Sequence, residues 1–440
     1  MASTIITRTP SSAGNRKTMT FSAWVKRSGI STGRIFSTSY SGENNQFWIK
    51  FGSETLGVYS RTGGSYTLGF DSTAKYRDTN GWYHLVVAID TTQSTSTDRL
   101  KVYVNNSLIS GTLGTTPSQN LDVEWNVAQP NDIGGKSDTS GEYFDGLMSH
   151  VHFIDGTAYD ASYFGQYDAN GVWKIKTSPS VTYGTNGFFI LKNGNSVTDQ
   201  SGNSNNFTVG GGTLTNTEDN PSNVFATGNP LYYYNGAYSA WSNSNNTCYT
   251  NAGAKGVNRA TLGASAGKYY WEVKIGASDG AGNIWQGVGI TGEPQTGSTD
   301  ELGNGSYGYG YWGEDGTIRN NDSNIATYST FTTNDVISVA LDMDNNKLYF
   351  AKNGTWQNSA NPSSGTNGIS INTNPTDGFY FPAWGDWDST NRYYFYTNFG
   401  NGYFGTTAVA SAGTNSSGIG IFEYDVPTGY TALSTKGLNL

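Results

Sequence analysis

The sequence predicts an all-β protein built as two tandem antiparallel β-sandwiches, and three observations lead there. Only 13% of the 440 residues are charged, while 58 are glycine. Ordinary domains carry about 25% charged residues and about 7% glycine. The polar surface must therefore come from Ser, Thr, Asn and Gly, which favour turns and strand edges over helix interiors. Apolar residues alternate at period two in run after run, with no long stretch at helical period. Finally, one strand–turn–strand–turn unit occurs twice: "VVAID" (86–90) leads to "LKVYVNNSLI" (100–109), and "SVALD" (338–342) leads to "LYFAKNGTW" (348–356). A chain of this length accommodates two sandwiches, which run to about 200 residues each.

The elements follow in order. In "TFSAWVKRS" (20–28), Phe21, Ala23 and Val25 share one face; Trp24 breaks the alternation and predicts that both faces are covered. "QFWIKFG" (46–52) is followed by "GVYSRTGGSYTLGF" (57–70), whose Gly-Gly marks a hairpin. "GWYHLVVAID" (81–90) aligns Tyr83, Leu85, Val87 and Ile89, and "RLKVYVNN" aligns Leu100, Val102 and Val104 before an Asn105-Asn106 turn. "YFDGLMSHVHFIDG" (143–156) ends this set. The Asn/Gly/Thr-rich stretch 199–231 reads as an ordered connector, because Phe207, Val209, Val224, Phe225 and Leu231 recur along it. The expected division is 1–198, a connector 199–231, and 232–440 with a low-complexity tail.

The second set opens with "GKYYWEVKI" (267–275), with Tyr269, Trp271, Val273 and Ile275 on one face. "IWQGVGIT" (284–291), "GSYGYGYWGEDG" (305–316), "DVISVALDMD" (335–344) and "KLYFAKNG" (347–354) follow. "GFYFPAWGDW" (378–387), "NRYYFYTNFG" (391–400) and a last candidate strand at 421–435 complete it. Residues 344–346 and Asn353-Gly354 read as hairpin turns.

These fragments resemble known families. "FSAWVKR" (21–27), "GWYHLVVAID", "LKVYVNNSLI", "IGG" (133–135) and "FDGLMSHVHF" (144–153) resemble a laminin-G-like, concanavalin A-like domain. "GKYYWEV", "QGVGI" (286–290), "YGYWGEDG" (309–316), "DVISVALDMDNNKLYFAKNG" and "FYTNFG" (395–400) resemble a SPRY domain, also a concanavalin A-like sandwich, or jelly roll. A third resemblance covers nearly the whole chain. Residues 8–29, "HFIDGTAYDASYFGQYDANGVW" (152–173), "YGTNGFF" (183–189), "DQSGNSNNFTV" (199–209), "DNPSNVFATGNPL" (219–231) and "VPTGYTALSTKGL" (426–438) resemble a family of tailed-phage virion proteins common in marine phages. The family's closing "ALxT" motif often holds Cys or Asn where Ser434 stands here. This resemblance implies a fibre or appendage protein on the virion surface, folded in host cytoplasm and released by lysis.

Composition excludes several classes. A net charge of −9 disfavours nucleic acid and anionic membrane as partners. No window of about 18 successive apolar residues predicts a membrane span, and the first residues show no secretory signal. A lone cysteine, Cys248, rules out an internal disulfide framework.

Catalytic and metal signals are sparse. Glycoside hydrolysis needs two carboxylates about 5 to 10 Å apart in one cleft. The acidic pairs here are Glu314-Asp315, whose side chains diverge on a strand, and Asp386 with Asp388. The expectation is no enzyme. His150 and His152 at i, i+2 could hold zinc, but no third ligand motif accompanies them, so solvent-facing strand positions are expected. No G-x-S-x-G elbow supports a serine triad. No cofactor is expected, with calcium the one candidate ion. Its candidate ligands are Asn131, Asp132, Asp138 and Asp145, without EF-hand spacing.

The positive signal is aromatic: 12 Trp, 30 Tyr and 20 Phe. Trp241, Trp285, Tyr311, Trp312, Glu314, Trp384, Asp386, Trp387 and Asp388 lie in or beside Gly/Asn-rich loops, where rings and carboxylates suit sugar stacking or a protein contact. A subunit interface is the competing reading. The function expected is adhesion or receptor binding to a host-surface glycan or protein by a homo-oligomer, with a trimer favoured. The second half would present loops and the first would dock to other virion proteins. A capsid decoration or head-fibre protein is the alternative.

Overall fold

The computed structural model describes residues 3–38, 44–138, 141–192, 194, 196–232, 240–250, 255–280, 284–294, 301–388 and 390–440. The chain divides into two units, Met1–Asn216 and Thr217–Leu440. The division falls inside the 199–231 stretch. All regular structure in the described residues is β-strand, with short 3-10 turns of three residues between. No helix among the described residues is long and apolar enough to cross a membrane.

The first unit is a sandwich of two antiparallel sheets. An eight-stranded sheet runs in the order Gly111–Thr115, Ser65–Ser72, Thr55–Thr62, Gln46–Gly52, Gly33–Thr38, Asn131–Ile133, Ile5–Arg8, Thr208–Gly211. A six-stranded sheet runs Phe188–Ile190, Gly146–Asp155, Thr18–Arg27, Trp82–Asp90, Leu100–Val104, Ser107–Leu108. The period-two faces meet between them: Phe21, Val25, Leu85, Val87 and Val102 oppose Phe47, Ile49, Phe51, Leu56 and Val58 in one buried cluster. Trp125, from the irregular chain after residue 115, fills its centre, with ring centroids 4.4 Å from Phe47 and 5.1 Å from Phe153. Burying rings of this size contributes about 1.5–3 kcal/mol each.

The second unit repeats the plan. One sheet runs Ala240–Ser242, Thr247–Tyr249, Tyr393–Asn398, Lys268–Ser278, Val336–Asp342, Lys347–Lys352, Thr355–Trp356; Ile369–Ser370 and Thr431–Ala432 add to it. The other runs Gly256–Arg259, Phe381–Asp386, Gln286–Thr291, Gly308–Trp312, Thr317–Asn320, Ser323–Thr327. Tyr269, Trp271, Val273 and Ile275 face the core, as their alternation predicts. The repeated sequence unit is a repeated structural unit. Leu100 pairs with Ile89, and Leu348 pairs with Leu341. Both copies close through turns that need positive φ: Asn105 and Asn106 at 49° and 69°, Asn353 and Gly354 at 48° and 78°. Asn and Gly tolerate that region at least cost.

Each unit carries a third layer over one outer face. In the first, the chain from Gly156 to Tyr183 lies over the six-stranded sheet, where Val86, Ile154, Ala161 and Phe164 pack with Tyr103, Tyr159, Trp173 and Tyr183. Trp24 is buried on this face, stacked on His84 at 4.8 Å, as its break in alternation predicts. In the second, Phe422, Val426, Tyr430 and Ala432 pack with Phe225 on Tyr270, Ala340 and Tyr349. The "DQSGNSNN" run is a turn built around Asp199. Its carboxylate accepts from the amides of Phe189, Ser201 and Asn205 at 2.8–2.9 Å, which ties this run to the first unit.

Candidate functional site

Glycine and strand alternation together build an aromatic cluster on the second unit. Trp312 is the last residue of its strand and faces outward, since Tyr309 and Tyr311 face the core. Its ring lies beside Gly287, directly across the ladder, where a Cβ would come to 3.0 Å of the indole. Trp312 Nε1 donates to Leu302 O at 3.1 Å. Trp387 follows the strand Phe381–Asp386, and its amide donates to Trp285 O at 2.9 Å. The Trp387 ring stands 5.1 Å from Trp285 and 6.4 Å from Trp312. Two cations lie by its ring, Arg319 at 4.3 Å and Lys255 at 5.1 Å from its centroid. Glu301 binds both of these cations. Burial pushes the Glu301 carboxyl above its usual range, against the pull of Lys255 and Arg319. Trp285 and Trp387 are half-buried, so this is a partly exposed ring surface held by fixed charges. Cations over indole are worth about 0.5–2 kcal/mol, depending on desolvation.

The other expected site residues scatter. Tyr311 and Trp384 are core residues, not loop residues. Their strands place them inward: Tyr311 packs on Phe331 and Phe350, and Trp384 Nε1 donates to Cys248 Sγ. Trp312 is also buried, under Leu302, so it backs the cluster and does not present a ring. Trp241 packs against Trp384 at 6.2 Å, away from Trp387. In the 231–241 run, residues 233–239 lie outside the described residues. Glu314 is exposed in the turn after Trp312.

Asp386 is sealed in the interior, on the inward side with Trp384, and not in a loop. Burial pushes its carboxyl up to about 8. Its Oδ2 has no hydrogen-bond partner, and neither has Oε1 of Gln286, the residue directly opposite. A protonated Asp386 can supply the missing donor. Asp388 is fully engaged: it accepts from Thr390 N, Asn391 Nδ2 and Tyr393 Oη, which hold its carboxyl below the usual range despite partial burial. The two aspartates therefore do not form an acid/base pair open to a substrate.

In the first unit, the histidine expectation is overturned. His150 and His152 are buried, not solvent-facing, because residues 156–190 cover that side of the strand. They also do not share a plain i, i+2 face. His150 has φ 49° and the register shifts between Ser149 and His152, a bulge. His152 Nδ1 is bonded to Tyr183 Oη at 3.0 Å, and its ring stacks on Phe189 at 3.9 Å. His84 lies beneath the same layer. Trp173 Nε1–H donates to its Nδ1 at 3.1 Å, so Nδ1 carries no proton and Nε2–H faces Ser22 Oγ at 2.9 Å. Burial lowers His84 to about 3 and His150 to about 4.

The calcium ligands do not form a cage. Asp132 Oδ2 accepts from Ser137 N and Oγ, Asp138 pairs with Lys136 at 3.3 Å, and Asn131 Nδ2 donates to Gln129 O. Asp145 is raised by burial. Among the described residues, no three His, Cys, Asp or Glu side chains gather as a metal site requires.

Sequence reasoning missed one surface. On the outer side of the first unit's eight-stranded sheet, Trp48, Tyr59 and Tyr66 lie together, each with a cation over its ring. The signal was in the alternation. Phe47, Ile49, Leu56 and Val58 claim the core, which leaves Trp48 and Tyr59 outward.

Comparison with known proteins finds one family match in each unit. Residues 3–161 match the concanavalin A-like lectin/glucanases superfamily, and residues 268–366 match the SPRY domain. The Ran-binding proteins 9/10 homolog of Drosophila melanogaster is 39% identical over 92 residues, 21% of this chain and 9% of that protein. The chain thus matches under a tenth of that relative's length. Among solved structures, the SPRY domain of human HERC1 aligns at 20% identity over 39% of this chain and 96% of that chain, with a TM-score of 0.32. Native heptameric SAP-like pentraxin from Limulus polyphemus aligns at 18% identity over 35% of this chain and 71% of that chain, with a TM-score of 0.27. The chain is an all-β protein with a concanavalin A-like domain followed by a SPRY domain.

Proposed function

We infer that this chain is a recognition protein of the virion surface that binds a host-surface glycan or protein without chemical turnover. One observation carries the reading: the half-buried pair Trp285 and Trp387, backed by Trp312, with Lys255 and Arg319 beside the Trp387 ring. Rigid indoles beside guanidinium groups are the residue types that dominate binding hot spots. The engaged state of Asp388 and the burial of Asp386 support binding over glycoside hydrolysis. Virion location is supported by the resemblance of residues 8–29, 152–173, 183–189, 199–209, 219–231 and 426–438 to tailed-phage appendage proteins. Residues of several of these segments, among them Phe164, Phe225 and Tyr430, pack in the cover layers. As a fibre or appendage protein it would act as a homo-oligomer, a trimer in this reading, docked to other virion proteins.

The test is competition. Purified chain is added to host cells before the phage, and free particles are counted over time. Wild-type protein should slow adsorption, and the double variant Trp285→Ala, Trp387→Ala should lose that effect while keeping its melting temperature. Equal competition by both proteins, or by neither, contradicts the reading.

A further inference from the structure

The outer face of the second unit carries a strap whose hold on the sheet centres on one carboxyl. From Phe422 to Tyr430 the chain forms no strand, and Phe422, Val426 and Tyr430 pack on Tyr270, Ala340 and Tyr349. Two hydrogen bonds join this stretch to the sheet, from the amides of Glu423 and Tyr424, and both end on Glu272. Glu272 is fully buried. Its Oε1 accepts from Tyr424 N at 2.8 Å and from Tyr270 Oη at 2.9 Å. Its Oε2 accepts from Glu423 N at 2.9 Å and from Asn398 Nδ2 at 3.1 Å. Four donors fill both oxygens, as an ionised carboxylate requires, yet none of the four is a cation. A charge buried without a countercharge is costly, and taking up a proton relieves it.

The neighbouring strand supplies what the protonated form needs. A protonated Glu272 has an O–H to donate, and of its four partners only Tyr270 Oη can also accept. When Tyr270 accepts, its own proton needs another acceptor. Ser338 stands directly opposite Glu272 in the ladder, buried, with no partner for its Oγ and with Tyr270 Oη in reach. The row Glu272, Tyr270, Ser338 thus has two settings. With Glu272 ionised, Tyr270 donates to the carboxylate. With Glu272 protonated, the acid donates to Tyr270 Oη, and Tyr270 donates to Ser338 Oγ.

We propose that these three residues form a proton-operated latch: closing the strap takes up one proton at Glu272, and rising pH frees the strap while the sandwich beneath it stays folded. Lifting the strap exposes Glu272 to water, where it ionises in the ordinary carboxyl range. Under the strap, burial raises it from 4.5 to about 7. The strap therefore holds most firmly below that window and loosens as pH rises through it. The other groups on this face keep that sign. Burial raises Tyr270 on the same strand, Tyr396 on the next and Tyr424 on the strap, so all three stay neutral. Lys274 stands one pair further along, opposite Tyr396. Glu423 turns back to accept from Ala410 N. Asp335, near Tyr424, stays ionised, because hydrogen bonds from Asn353, Thr332 and Lys352 outweigh its burial. Opening uncovers an apolar sheet face of Tyr270, Ala340 and Tyr349.

The experiment is hydrogen exchange of the full chain at pH 5.5 and pH 8, read by mass spectrometry and corrected for the intrinsic rate at each pH. The strap, 419–430, should be less protected than the strand Lys268–Ser278 at both values. Its protection should fall roughly tenfold or more from pH 5.5 to pH 8. Glu272→Gln removes the titration, so strap protection should become equal at the two values. Ser338→Ala removes the acceptor that only the protonated setting uses, so it should lower strap protection at pH 5.5 and not at pH 8. A packing role for Ser338 would show at both. Melting temperature checks that each variant folds, and Ser338→Ala carries the test if Glu272→Gln does not. Equal strap protection at both values in wild type overturns the proposal. So does a pH dependence that survives in folded Glu272→Gln, or a Ser338→Ala effect that is absent or the same at both values. Strap and strand exchanging with one common protection would also overturn it, since the strap then opens only when the unit unfolds.

Discussion

The two units solve one problem with opposite chemistry. Each must hold an irregular cover layer on the outer face of a sheet, and each does so through a buried polar group in a central strand. In the first unit the group is an imidazole. His84 accepts from Trp173 of the cover layer, and His152 is bonded to Tyr183. In the second it is a carboxyl. Glu272 accepts from the amides of Glu423 and Tyr424 at 2.9 and 2.8 Å, from Tyr270 Oη and from Asn398 Nδ2. All three histidines of the chain lie in the first unit. The lesson is that similar sandwiches with similar covers should respond to protons in opposite directions.

The largest expected effect comes from Glu272→Ala. It leaves four donors facing an apolar interior, and a buried donor left without its acceptor costs about 1–3 kcal/mol each. Urea denaturation should show the second unit unfolding earlier and the first unit unmoved. An equal shift in both would break the comparison, because it would mean that the units do not unfold separately.

Next in size is Trp173→Phe. It removes the donor that keeps His84 Nδ1 unprotonated, at a cost of about 1 kcal/mol to the first unit near neutral pH. Nitrogen NMR of the histidines should show His84 beginning to titrate closer to its ordinary range. An unchanged His84 spectrum would mean that burial alone sets its state.

Much of this was legible in the sequence. Period-two alternation placed Phe21, Leu85, Val87, Trp271 and Val273 on the core side, and the Asn and Gly turns fell where positive φ is required. The site was less legible, for a physical reason. Alternation says which residues share a face but not whether that face is covered from outside. Tyr311 and Trp384 sit among glycines and look loop-like, yet their strands bury them. His150 looked exposed because the cover layer comes from chain after it in sequence. Trp125, at the centre of the first core, stands in no alternating run at all.

Two smaller effects sharpen the contrast. Asp386→Asn keeps a neutral side chain where burial holds the acid neutral up to about pH 8. The variant should match wild type at pH 4 and be the more stable protein at pH 9, the gap opening from about pH 4 upward because the unfolded wild-type acid is ionised there and must take up a proton to fold; urea midpoints at both values check this. Equal midpoints at pH 9 would place Asp386 in contact with water. Tyr66→Ser, on the uncovered sheet face, should change stability by less than about 0.5 kcal/mol, as surface positions away from special features do. A larger loss by thermal melting would mean that this ring serves the fold.

Scanning calorimetry of the intact chain at pH 7.5 and pH 5 tests the central claim. His84 and His150 are lowered by burial to about 3 and about 4, so between those values and about 6.5 the unfolded first unit binds more protons than the folded one. Its stability therefore falls as pH drops through that window. Glu272 and Asp386 are raised by burial to about 7 and about 8, so the folded second unit binds more protons than the unfolded one from about pH 4 upward. Its stability rises as pH drops through the same window. The account predicts two transitions that move in opposite directions on acidification, the Glu272→Ala variant identifying the second unit's. Two transitions moving the same way, or a single one, would contradict it.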